Sequence, residues 1–166
     1  MVNSVPVLQQ LNPRGFVIVE ARLSIPLSKL LADIKKNIGR GSVLQVFSAS
    51  SIISREHLLC AYINACMSFE EKTNIASTVG LEMLLFAAMS RQIEESLRRV
   101  GAVDGERIVV FADSPKVLNS VKGCLKGAKR FSPSRKASLI AAKRLGLREI
   151  DSKSVISAVA LSRVCS

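Results

Sequence analysis

Few side chains in this sequence can do chemistry, and their spacing narrows what that chemistry can be. His57 is the only histidine. It lies beside Leu58 in a helical pattern, and acid–base catalysis needs a pocket and a positioned neighbour as well as an imidazole. The cysteines are Cys60, Cys66, Cys124 and Cys165. No two make a C-x-x-C pair, which with one histidine argues against structural zinc. Cys60 and Cys66 point apart along one helix, so a disulfide between them is not expected. Free thiols in a reducing cytosol are expected instead. Glu70 and Glu71 are adjacent and follow the polar face of a helix. The stretch GCLKGAK, Gly123 to Lys129, is glycine-rich and basic, but Ala128 stands where a phosphate loop needs its second glycine. No Ser or Thr follows Lys129 to hold magnesium, so the stretch reads as a basic turn. G-x-S-x-G, H-E-x-x-H and G-x-G-x-x-G are absent. A binding protein without cofactor or metal is expected rather than an enzyme. An enzyme would need an unfamiliar site at His57 or Cys66.

Charge is the more informative chemistry. The net charge is +11, and residues 1–112 hold 12 Lys/Arg against 10 Asp/Glu. Residues 113–166 hold 12 against 3, with ten basic residues and no acidic one between Asp113 and Glu149. That asymmetry points to a polyanion, nucleic acid first. The competing reading is a solvated basic face. Aromatic residues make up only 4%, so a sheet of base-stacking rings is not expected. No basic, apolar leader opens the chain, and the greasy run Leu81 to Met89 is too short to span a bilayer. A soluble cytoplasmic protein of one domain is expected, with no membrane partner.

The elements that must position these residues follow from pattern. Gly15–Leu23 reads as a strand covered on both faces. Pro26 opens a helix through Ile38, closed by Gly39 and Gly41. Ser42–Ala49 is a second strand, completing strand–helix–strand in the manner of a crossover unit. Ser54 caps a long helix with Leu58, Tyr62, Ala65, Cys66 and Phe69 as its apolar stripe. Leu81–Met89 is a short helix apolar on every side, so it is central to the core or covered by another protein. Lys72, Asn74, Arg91 and Gln92 bracket it. Ser90 caps a further helix with Ile93, Leu97 and Val100 inward and Glu94–Arg98 and Glu95–Arg99 as i,i+4 pairs. Glu106–Asp113 is a third strand. Ser114-Pro115 and Ser132-Pro133 mark two helix starts, and Asp151 caps the last helix.

The segment Ser54–Gly101 resembles the TPRKB family, the small regulatory subunit of the KEOPS complex. The resemblance rests on His57-Leu58, Asn64-Ala65, Asn74-Ile75-Ala76, Leu81-Glu82, Leu84-Leu85 and Arg91-Gln92-Ile93, in order and with family-like spacing over about 48 residues. SAVALSRV near the C-terminus looks like the family's closing helix, and the short chain looks archaeal. Ser96 departs from the small Ala usual after the Arg-Gln-Ile triplet, and Lys116–Lys143 carries no family signature.

The resemblance implies a mixed α/β (α+β) fold, a small central sheet packed by several helices. It implies a non-catalytic subunit that docks a PRPK-type atypical kinase acting as an ATPase, and reaches other KEOPS subunits through it. The assembly makes threonylcarbamoyladenosine in tRNA, and archaeal members bind tRNA, including its single-stranded CCA 3′ end. On this reading Arg55, Lys72, Asn74 and Arg91 are candidate tRNA contacts, joined on charge alone by Lys126, Lys129 and Arg130. Val155, Ile156 and Val159 are the candidate partner face. Plain structural roles compete at each: Asn74 as a cap, Arg91 on helix-end carbonyls, Ile75 and the Val155–Val159 patch as core. The alternative function is a general, charge-driven nucleic-acid-binding protein without such a partner.

Overall fold

A computed structural model describes residues 15–39, 41–148 and 151–161 of the chain. Four strands form its sheet: β1 (Val17–Leu23), β2 (Leu44–Ser48), β3 (Arg107–Ala112) and β4 (Leu125–Arg130). Seven helices are described: α1 (Leu27–Asn37), α2 (Arg55–Glu70), α3 (Val79–Ala88), α4 (Ile93–Val100), α5 (Pro115–Asn119), α6 (Arg135–Arg144) and α7 (Ser152–Leu161). The expected mixed α/β class is what is found. The strand order is β2-β3-β1-β4 and every pairing is antiparallel. β1 and β2 therefore run parallel without touching, because β3 lies between them. The expected crossover unit is a split one.

β3 is the centre. Ile108 through Ala112 are all buried. Alternation sends Val109 and Phe111 to one face, where they join Phe47, Ile18 and the apolar sides of α2, α3, α6 and α7. Ile108, Val110 and Ala112 go to the other face and meet Leu30 of α1 and Val117 of α5. Full cover on both faces was expected of β1, but it holds only at Ile18 and Ala21, and Arg22 is exposed. A strand next to the edge, bulged in its pairing with β4, escapes the helices that cover β3.

Local chemistry explains most boundaries. Ser54 Oγ accepts from His57 N and starts α2; Ser114 Oγ accepts from Val117 N and starts α5. Asp104 Oδ1, 2.7 Å from Leu27 N, caps α1 from across the chain. Gly101 ends α4 as expected, and there a Cβ would meet Leu97 O at 2.3 Å. Three expectations fail at boundaries. Ser90 does not cap α4: its Oγ accepts from Gln92 N and donates to Glu95, and the helix begins at Ile93. Ser132-Pro133 does not open α6. Phe131 N donates to Ile18 O and holds the chain extended, so Ser134 becomes the cap, accepting from Ala137 N. The basic turn at Gly123–Lys129 is instead a 3-10 turn (Lys122–Cys124) followed by β4, with Gly127 at φ +61° in the bulge.

α3 resolves its two alternatives in favour of the core, since Glu82 to Ala88 are all buried. α4 buries Val100 as expected but not Ile93 or Leu97. Ile93 and Leu97 are 38% and 50% exposed, while Ser96 and Val100 face inward. The small Ser96 side chain lets α4 lie against α3, and its Oγ donates to Gln92 O. The expected Glu95–Arg99 pair is formed. Cys60, Cys66 and Cys124 are free thiols, and Cys165 lies outside the described residues.

α2 and α3 are antiparallel. His57, at the start of α2, is fully buried and donates from Nε2 to Ala87 O at the end of α3, at 2.9 Å; its Nδ1 accepts from Ile53 N. Burial drives its pKa down to about 4, against the weaker upward pull of the Ala87 bond. In the unfolded chain it returns to the ordinary value near 6.5. Between those values the unfolded state binds the extra proton, so stability is complete above about pH 6.5 and is lost as pH falls toward about 4. The loss is on the order of 3 kcal/mol. Urea unfolding of the wild type should show this slope, and the His57→Gln variant should lose it.

Candidate functional site

The candidate residues divide between the two ends of the α2–α3 hairpin. α2 has 16 residues, so its ends stand about 24 Å apart. Lys72 and Asn74 lie in the loop at one end. Arg55 is at the other end, with His57 tying it to the C-terminus of α3, beyond which lies Arg91. The seven candidate RNA contacts are not one cluster.

The Lys72–Asn74 loop is built with care. Lys72 has φ +58°, the left-handed region that glycine usually fills after a helix. Its N–H donates to Phe69 O, and Thr73 N donates to Ser68 O at 2.8 Å, a Schellman closure. A lysine there forgoes the easier glycine, and its side chain is exposed. Asn74 is half-buried and donates from Nδ2 to Ala76 O at 3.0 Å, shaping the turn. Ile75, expected in the core, is 45% exposed because its neighbours turn the backbone toward Glu82. Glu82 Oε2 accepts from Ile75 N at 3.0 Å and Ala76 N at 2.7 Å, and Ser68 Oγ donates to Oε1. A groove of about 520 Å3 opens beside the loop, lined by Phe69 and by Ser77, Thr78, Val79 and Gly80 on its two flanks, and by Leu31, Ile34 and Lys35 of α1.

At the other end, Arg55 and Arg130 line one cleft of about 360 Å3 with Ser54, Glu56 and Ser138. Burial pushes the Arg55 pKa down, and the charge of Arg130 pushes the same way. Arg55 Nη1 donates to Ile18 O. Arg91 is exposed beyond Met89, whose φ of +52° turns the chain out of α3. Lys126, Lys129 and Arg130 are all exposed on edge strand β4. Lys126 and Lys129 pair with Arg22 and Glu20, so they share a face, while Arg130 pairs with Val19 and projects to the other.

The partner-face expectation needs correction. Val155 and Val159 are buried where α7 packs on α2 and α3, and they offer nothing to a second protein. Ile156 is 42% exposed on the same helix.

Two features escaped the sequence reading. The role of Glu82 is one; the sequence marked it only within the Leu81-Glu82 pair of the family resemblance and at the start of a helix. Arg98, Arg99 and Arg144 gather with Ser48, Ser51 and Glu106 around another cleft of about 360 Å3, which adjacency along the chain could not reveal. Nucleophilic chemistry finds no support. His57 is sealed and uncharged at neutral pH, and burial pushes the Cys60 and Cys66 thiols up, away from the reactive thiolate. No group of three or more His, Cys, Asp or Glu that could hold a metal occurs among the described residues. Among them, too, no helix is long and apolar enough to cross a membrane.

A family model described as kinase binding protein CGI-121 matches residues 28–145. The chain belongs to this kinase-binding family, the TPRKB family. The match runs from the first turn of α1 to the end of α6, so it includes β4 and both ends of the hairpin. No curated protein matches the chain.

Removing the Glu82 carboxylate leaves the Ile75 and Ala76 amides without an acceptor. Glu82→Ala should therefore destabilise the fold by about 3 kcal/mol, read as a shift in the urea midpoint. Amide exchange at Ile75 and Ala76 should accelerate more than at β3.

Proposed function

We propose that this protein is a non-catalytic KEOPS subunit. It binds tRNA, including the CCA 3′ end, and docks the PRPK-type kinase-like ATPase, through which it reaches the other subunits. In this role it supports threonylcarbamoyladenosine modification while the chemistry is done elsewhere. Membership of a kinase-binding family supports the docking half. One observation carries the RNA half. All ten basic residues between Asp113 and Glu149 are exposed, and none forms a salt bridge among the described residues. Unneutralised surface cations are what a phosphate backbone requires. The loop of Lys72 and Asn74, beside a groove with Phe69 in its wall, suits a single-stranded end whose bases stack and whose phosphates meet lysine.

Binding of a tRNA transcript, followed by fluorescence anisotropy, tests this reading. Trimming the CCA end should weaken binding about tenfold or more, since one stacked base is worth about 1–3 kcal/mol. Equal affinity for intact and trimmed tRNA would count against it. Lys72→Gly should weaken binding while leaving stability equal or up to about 1 kcal/mol higher, because glycine relieves the left-handed strain.

The spread of the candidate cations over separate faces favours a second reading, charge-driven binding of any nucleic acid. That reading requires equal affinity for tRNA and DNA of the same length at matched salt. It also requires no stable complex with a kinase-like subunit in a pull-down from native extract. For the docking half, Ile156→Asp should abolish co-purification of the kinase subunit with an unchanged melting temperature, whereas Val159→Asp should unfold the protein.

A further inference from the structure

Three cations stand side by side across the sheet. Arg107 of β3 lies opposite Arg22 of β1, and Arg22 lies opposite Lys126 of β4. Residues paired across antiparallel strands project from the same face, so the three form one row, and all are exposed. The neighbouring row on that face is Val109, Glu20 and Lys129. Glu20 is the only acid in the two rows, and Arg107 Nε engages it at 2.7 Å. Among the described residues Arg22, Lys126 and Lys129 form no salt bridge.

Like charges set directly opposite each other destabilise a sheet. Protection of an edge against stray strand pairing explains lysines on β4. It does not explain Arg22, on an inner strand already paired on both sides. Folding alone would favour a neutral or acidic residue between Arg107 and Lys126.

We infer that this row is a second RNA contact, which engages the phosphate backbone of a double-helical segment of the tRNA rather than its single-stranded end. The inference rests on the tRNA-binding reading above. The row spans two interstrand gaps, about 10 Å at about 4.8 Å each. Along one strand of a duplex a phosphate recurs about every 3.4 Å of helix axis, so a row of this length can face more than one phosphate. Neither row holds an aromatic ring, so unpaired bases find no stacking platform here. Arg22 supplies the paired donors that grip phosphate oxygens, and Lys126 and Lys129 supply point charges.

The test is the salt dependence of binding to a tRNA transcript, intact and CCA-trimmed, over a series of KCl concentrations. The double variant Arg22→Gln, Lys126→Gln should reduce the slope by about 1.8, two duplex counterions at about 0.9 each, on both RNAs alike. Arg22→Lys, which keeps the charge, should retain the wild-type slope. Urea unfolding of the double variant should show an equal or higher midpoint, because the opposed charges are gone. Wild-type binding with an unchanged slope in the double variant overturns this surface alone. Wild-type protein without measurable tRNA affinity overturns the proposed function and this surface together. An unchanged slope with loss of the kinase-like partner overturns the inference by giving the row to an acidic protein segment.

Discussion

Placing a carboxylate inside a protein is unfavourable unless hydrogen bonds replace its water. Glu82 is the one buried acid among the described residues. Its oxygens are met by two consecutive backbone amides and one serine hydroxyl. The same bonds work in the opposite direction on the loop. Residues 71–78 are mostly exposed and contribute little apolar area, so burial cannot fix their path. Glu82 fixes it instead, from within a helix buried from Glu82 to Ala88. The Schellman closure of α2 sets Lys72, the Asn74 side chain shapes the next turn, and Glu82 holds the backbone that follows at Ile75 and Ala76.

The rest of the surface is organised by repulsion that the core must overcome. The ten exposed cations between Asp113 and Glu149 lie on α5, β4, α6, the segments joining them and the residues just after α6, without a balancing acid. Self-repulsion of this kind weakens a compact state. The compensation is visible in β3, buried on both faces, and in α3, buried along nearly its whole length. A core this apolar lets the surface be chosen for binding rather than for stability. On the proposed function, the same logic accounts for the lysine at the left-handed position, where glycine would be the easier choice.

Local signals in the sequence carried much of the fold and little of the site. Ser54, Ser114 and Asp151 announce their helices because a side-chain cap is decided within four residues. The strands β2 and β3 were legible as apolar runs. What could not be read locally was the insertion of β3 between β1 and β2, which depends on pairing over about a hundred residues. β4 was missed for a related reason. LKGAKR has neither the alternation nor the β-branched residues of a strand, and only pairing with β1 makes it one. Ile93 and Leu97 were misplaced because helical periodicity says which residues share a face, not which of two neighbouring faces is covered. The same ambiguity put Val155 and Val159 on a docking surface when they belong to the core. For the site, residue types were readable and their grouping was not. Arg55 and Arg130 meet in one cleft, and Arg22, Arg107 and Lys126 meet in one row, only after the sheet is assembled.

The groups most often recruited for catalysis are the ones this fold disarms. Its only imidazole is enclosed, bonded at both nitrogens and held neutral at physiological pH. Two of its thiols are held in the protonated form by burial. Most of the charged groups that remain in water are cations, spread over helices, strands and the loops between them. Such a surface can hold a polyanion in a fixed orientation, which is useful chiefly when another protein acts on it. Membership of a kinase-binding family supports a kinase partner, and only the proposed function links that partner to a polyanion. On that view the buried histidine belongs with Glu82 rather than with an active site: one fastens the Arg55 end of the α2–α3 hairpin and the other fastens the Lys72 end, so both presenting surfaces stay in register across about 24 Å of helix.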